Sequence, residues 1–194
     1  MLEKKVGNSQ CFILAQFDLI QLLMKNGADD NCTCYSGPAL CLAAEKGHIE
    51  IVEFLLEHGV DVGLIFETPN RIFTALHQAA RHGHSDIFQL LLKHGANDNL
   101  KNHSNETALH YAAIGDHPKI IKILLENGAA VNSQSRCSAT AFDYATDSLK
   151  RNGNWFSFLS PFNSAAILKR YGGEWGRMEK NARFVCWNLQ DDWE

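Results

Sequence analysis

The chain has no excess of basic residues: 18 Lys and Arg stand against 22 Asp and Glu, giving a formal net charge of -4. Phosphate binding needs clustered Lys and Arg, so nucleic acid is not an expected partner. Long apolar runs are also missing. The run from Cys11 to Ala15 is too short for the centre of a secretory leader, and Asp18 soon interrupts it. Nothing approaches the roughly 18 apolar residues of a membrane span. Six cysteines (Cys11, Cys32, Cys34, Cys41, Cys137, Cys186) are scattered without the spacing of a disulfide framework. Thiols so placed fit a reducing compartment, and an intracellular, cytoplasmic protein is expected, although one exported without a cleaved leader would look the same. The chain contains no P-loop, Gly-rich dinucleotide loop, H-E-x-x-H or G-x-S-x-G. Neither catalysis nor a cofactor is expected.

What is present is the balance of a folded soluble protein, with 45% hydrophobic and 21% charged residues over 194 positions. A period of about 33 residues dominates it. Segments starting at Pro38, Thr74, Thr107 and Thr140 align, with anchors Leu40, Leu76, Leu109 and Phe142 spaced 36, 33 and 33 apart. Three of them read Ala-Leu-x-x-Ala-Ala, or close to it, and are followed by a second apolar run: Ile49 to Leu56, Ile87 to Leu92, and Ile120 to Leu125. These runs close on His58-Gly59, His94-Gly95 and Asn127-Gly128, and an earlier run from Phe17 to Leu23 closes on Asn26-Gly27.

The pattern has a physical reading. A pair of alanines on a short first helix lets neighbouring helices approach closely. The Leu and Ile stripe of the second helix fills the space between repeats, and the Gly after it takes the left-handed conformation that ends the helix. One such unit cannot bury its own apolar face, so stacking supplies the core.

Several linked motifs at this spacing resemble the ankyrin repeat over roughly residues 17 to 147. The resemblance implies an all-α solenoid of about five helix-turn-helix repeats with β-hairpin fingers. It also implies local hydrogen bonding by the Thr and His of the T-x-L-H motif. Departures from the family pattern are specific. Ala39, Ala75, Ala108 and Ala141 replace the usual Pro and lose its preset first-turn angle. Pro38 and Cys41 replace the Thr and His of the first full repeat. Asp116 stands where the Gly between helices belongs and Asn105 at a hairpin Gly position; both residue types tolerate left-handed geometry.

The expected organisation is a repeat domain over 1–173: an N-terminal cap repeat 1–31, repeats 32–62, 63–99 and 100–132, and an interrupted repeat 133–173. The interruption begins after Ala145, and a second-helix pattern resumes at Ser164. Residues 174–194 follow as a capping segment or tail. All four tryptophans (Trp155, Trp175, Trp187, Trp193) fall in this C-terminal part, as a cover for the last repeat or as anchors for a partner. The long finger from about Gly63 to Phe73 carries Leu64, Ile65 and Phe66, suited to a packed-over loop or a binding fingertip.

In the ankyrin family partners usually dock on the concave face. The matching positions here are Leu42, Glu45 and Lys46; Gln78, Arg81 and His82; Tyr111 and Ile114; and Tyr144 and Asp147. A contiguous set containing Leu42, Tyr111, Ile114 and Tyr144 would mark an interaction site, with Phe66 and Trp155 as outlying contacts. The expected function is therefore a protein-protein interaction module (adaptor, scaffold or inhibitor), monomeric by itself, with no nucleic acid and no membrane partner. The alternative is a pathogen effector or regulatory protein whose C-terminal segment recruits a larger machine. The histidines recur at repeat positions (His48, His84, His117; His77, His110; His58, His94), which gives them structural roles and leaves no metal site. Cys32-x-Cys34 with Cys41 lacks a fourth zinc ligand. Asn99 and Asn132 occupy the position at which ankyrin proteins can be hydroxylated, where a structural hairpin Asn is the simpler reading.

Overall fold

The computed structural model describes residues 33–34, 37–68, 71–151 and 163–176. Two compact units divide the chain, Met1–Asp98 and Asn99–Glu194.

Among the described residues the first unit holds two helix pairs: α1 (Ala39–Lys46) with α2 (Ile49–Glu57), and α3 (Ala75–His82) with α4 (Ser85–Lys93). Two antiparallel hairpins accompany them. β1 (Thr33–Cys34) pairs with β2 (Gly37–Pro38). β3 (Phe66–Thr68) pairs with β4 (Arg71–Phe73), placing Phe66 opposite Phe73. Helices α1 and α3 lie against one another, and the alanines Ala43, Ala44, Ala79 and Ala80 are fully buried. The outer helices contribute Ile51, Val52, Leu55, Ile87, Phe88 and Leu91 to the core. Each such side chain contributes about 1.5–3 kcal/mol of transfer free energy.

Helix α3 starts where its sequence provides a cap. The backbone N–H of Thr74 donates to His77 Nδ1 at 3.3 Å, and Thr74 Oγ1 lies 3.0 Å from the same nitrogen. This is a capping box with His in the place of Glu or Gln. The turn after α1 needs glycine twice over. Gly47 has φ 78°, and a Cβ there would lie 2.6 Å from Cε1 of the His84 ring. That ring reaches across from the next repeat and sets Nε2 3.0 Å from the carbonyl oxygen of Glu45.

The second unit contains α5 (Ala108–Ile114), α6 (Pro118–Glu126), α7 (Ala141–Arg151) and α8 (Ser164–Arg170). Helix α5 packs beside α7, and α8 packs on α6 and α7. The buried set includes Leu109, Ala112, Ala113, Ile120, Ile121, Leu124, Phe142, Ala145 and Leu168. Asn105 (φ 58°) and Asp116 (φ 53°) are left-handed, as their positions predict, and so is Ser138 (φ 57°). The resumed second-helix pattern is α8, capped by Asn163, whose Oδ1 accepts from the Ala166 N–H at 2.6 Å. Helix α7 runs on to Arg151 rather than stopping near Ala145. Asp147, Leu149, Lys150 and Arg151 contain no helix breaker, and nothing in that stretch provides a glycine stop.

The N-terminal repeat 1–31, the middle of the insertion with Trp155, and residues 177–194 with Trp187 and Trp193 lie outside the described residues. Among the described residues no helix is long and apolar enough to cross a membrane.

Candidate interaction surface

The two tyrosines expected on an open face are enclosed. Tyr111 is 4% exposed and Tyr144 7%. Their hydroxyls enter a polar network rooted in the fingertip of the second unit. Asn102 Oδ1 accepts from the backbone N–H groups of Ser104 and Glu106, each at 2.8 Å. Asn102 Nδ2 donates to Glu106 Oε2 at 2.8 Å and to the Tyr111 hydroxyl oxygen at 2.9 Å. The Tyr144 hydroxyl donates to Glu106 Oε1 at 2.7 Å. Burial and the neighbouring Glu106 carboxylate push the Tyr144 phenol far above its usual range, so it remains a donor. A ring of this size hides its apolar body and keeps a partner for its oxygen, and the finger beside the helix supplies that partner. Leu42 and Gln78, at the equivalent position of α1 and α3, are also buried. The expectation that Leu42, Gln78, Tyr111 and Tyr144 are displayed is thus corrected: this register position turns toward the repeat's own packing.

Asn102 and Glu106 do not stand out in the repeat pattern. A local signal exists, since Asn102 precedes the left-handed Asn105 by three residues in the manner of an Asx turn. The same turn recurs one period later, where the Ser135 N–H donates to the Ala139 carbonyl at 2.9 Å and Ser138 is left-handed.

Behind the network stands His110. Its Nε2 lies 3.0 Å from the carbonyl oxygen of Ser133, which can only accept, so Nε2 carries the proton. Nδ1 is then free to accept from Thr107, at 3.1 Å from its N–H and 3.0 Å from its hydroxyl. Burial holds the imidazole pKa down at about 4. The ring therefore works as a neutral strut.

The accessible positions lie at the ends of the first helices. In the first unit Lys46 and His82 are exposed, while Glu45 and Arg81 are half-buried. Lys46 Nζ lies 2.7 Å from Glu45 Oε1. His82 and His84 stack with ring centroids 6.3 Å apart. Partial burial lowers the His82 pKa; the Glu45 carboxylate opposes this, and Arg81, His84 and Lys46 add to the lowering. In the second unit Ile114 and Asp147 are half-buried, as is Phe66 on the first unit's long finger. Ile65 beside Phe66 is 46% exposed.

Cys41 is a buried free thiol whose pKa burial and, less, Glu45 raise to about 12; it is not poised as a nucleophile. No group of His, Cys, Asp or Glu suited to a metal ion occurs among the described residues. Cys137 is disulfide-bonded, which departs from the reading of six unpaired thiols. Asn132 commits its carboxamide within the fold. Nδ2 donates to the Gly172 carbonyl at 3.0 Å, and Oδ1 accepts from the Glu174 N–H at 2.9 Å.

Short helix pairs with tight turns, capped through Thr and His in two repeats and accompanied by hairpin fingers, define a protein of stacked helix-pair repeats. The family description "Ankyrin repeats (3 copies)" matches residues 11–102, 64–135 and 97–159, and the chain belongs to the ankyrin-repeat family. It is also 38% identical over 58 residues to the human ankyrin repeat and MYND domain-containing protein 1. That match covers 30% of this chain and 6% of the human protein. Ankyrin repeats are in general protein-protein interaction modules.

Proposed function

We propose that this chain is a non-catalytic binding module, an adaptor, scaffold or inhibitor, whose partner protein docks on the helix-end ridge formed by Glu45, Lys46, Arg81 and His82. The observation that supports this most is the contrast along α1 and α3. Their alanine pairs, Ala43-Ala44 and Ala79-Ala80, are fully buried, while the residues at their last turn stay accessible and carry charge of both signs. A rigid helix with a polar, adaptable end holds contact groups in place at little entropic cost. Ile114 and Asp147 are the corresponding positions of the second unit, and Phe66 with Ile65 offers an apolar fingertip. The chain acts as a monomer and without nucleic acid in this reading. An intracellular location is part of it, and the disulfide at Cys137 stands against that part, since such bonds are rare in a reducing cytosol.

The test is affinity capture with the intact protein and with the double variant Lys46→Glu, His82→Glu. Loss of a specific partner by the variant, with unchanged circular dichroism, supports the ridge. Retention of every partner removes it.

A second reading rests on Trp175, which is 51% exposed at the head of the terminal segment. Here the segment recruits a larger machine, as in a regulatory protein or pathogen effector. Trp175→Ala distinguishes the two: the ridge reading expects partner capture to persist, and the recruitment reading expects it to vanish.

A further inference from the structure

The last described helix pair carries a carboxylate at the fourth position of its first-helix motif, and that residue changes what can follow it. In the two repeats before it this position is His77 and His110, and in the first full repeat it is Cys41. His110 accepts from Thr107 on one side and, through Nε2–H, donates to a backbone carbonyl of the next finger, that of Ser133. The equivalent residue on α7 is Asp143. It takes over the capping role, since its Oδ2 accepts from the Thr140 N–H at 2.8 Å and lies 3.0 Å from Thr140 Oγ1. For the linking role a carboxylate has no proton to give. The chain beyond α8 accordingly offers an N–H in place of a carbonyl, and the Gly176 N–H donates to Asp143 Oδ2 at 2.7 Å.

Other contacts seat the same short segment. Thr140 Oγ1 donates to the Glu174 carbonyl at 2.7 Å. Asn132 holds the Gly172 carbonyl and the Glu174 N–H. Trp175 meets the Phe142 ring edge-on, with centroids 4.9 Å apart. At Gly176 a Cβ would overlap the Ser138 carbonyl oxygen and Asp143 Oδ2, so only glycine fits the approach.

We infer that residues 172–176 are a clasp that ends the repeat array, and that Asp143 selects it by reversing the donor-acceptor polarity of the link between repeats. A further regular repeat would bring a carbonyl to this place, as Ser133 does to His110, and two acceptors would face each other in a buried site. Asp143 is 2% exposed, and its Oδ1 has no hydrogen-bond partner among the described residues. The carboxylate is committed on one oxygen to both the helix cap and the clasp. This inference concerns how the array is closed and does not rest on the proposed binding ridge.

The test uses amide hydrogen exchange on the full chain with Asp143→His. The variant restores the residue that caps α3 and α5, so the Thr140 amide should stay protected. The Gly176 and Glu174 amides should exchange at least about tenfold faster, because a charge-assisted bond has been replaced by a clash of donors. Asp143→Asn, which keeps an acceptor oxygen, should fall between the two. Unchanged Gly176 exchange in Asp143→His overturns the inference. So does equal loss at Thr140 and Gly176, which would make Asp143 a helix cap and nothing more. Asn132→Ala gives an independent check: it should speed Glu174 exchange and leave Thr140 untouched, and no change at Glu174 counts against the clasp.

Discussion

Lowering the pH should loosen the second unit through His110. The ring is fully buried, accepts at Nδ1 and donates at Nε2. Protonation would put a hydrogen on Nδ1, against the Thr107 N–H, and a charge in an apolar surround. The folded pKa, held down at about 4, lies below the value near 6.5 of an unfolded chain. A depressed histidine pKa means the unfolded state binds the proton first. Stability from this group is therefore complete above pH 6.5 and drains away as the pH falls toward 4. With these two values the loss is on the order of 2 kcal/mol at pH 5 and 3 kcal/mol at pH 4. Other groups titrate in the same range, so the measurement is a difference. Urea unfolding of the wild type and of His110→Gln should be compared at pH 7, 6, 5 and 4.5. The gap between them should shrink steadily below pH 6.5. In parallel, the His110 ring proton resonances should not shift above about pH 5. A gap that stays constant with pH, or a ring that titrates near 6.5, refutes the reasoning.

Tyr144→Phe removes the bond to the half-buried Glu106 carboxylate; a loss of about 1 kcal/mol is expected in urea unfolding. Gly47→Ala and Gly59→Ala both place a side chain at positive φ, but only Gly47 faces a ring, while Gly59 has open space. Both should lose about 1 kcal/mol from backbone strain, with a clearly larger drop in thermal midpoint for Gly47→Ala. Asp116→Gly should raise the thermal midpoint, by relief of about 1 kcal/mol at a left-handed position.

The repeat architecture is readable because its signals are local. A Gly past each second helix takes positive φ at 59, 95, 128 and 172. The alanine pairs vanish into the core, and Asn105 and Asp116 adopt the conformations their side chains tolerate. The interaction face is legible only at the helix ends. Glu45, Lys46, Arg81 and His82 are accessible, whereas Tyr111 and Tyr144 are not. A tyrosine at a variable position reads as a contact residue until one knows that a finger carries Asn102 and Glu106 to meet it. That meeting depends on a fingertip turn and on packing across 38 residues of sequence between Glu106 and Tyr144. The length of α7 escapes the repeat pattern for the opposite reason: a stretch without breakers simply stays helical. Asp143 is recognisable from Thr140-x-x-Asp143, which is a capping box by its residue types. Its reach to Gly176 is not, since nothing local joins them.

The ring of His84 resting on Gly47, with its nitrogen on the Glu45 carbonyl, fixes the spacing of two repeats at their turns. Between the Leu40 and Leu76 anchors, three residues further apart than the later ones, the chain forms the hairpin that begins at Phe66. Growth of the chain is thereby steered to the one place where added length costs the core nothing, so a protein of this design can acquire new reach at its fingertips while its helices keep their rank.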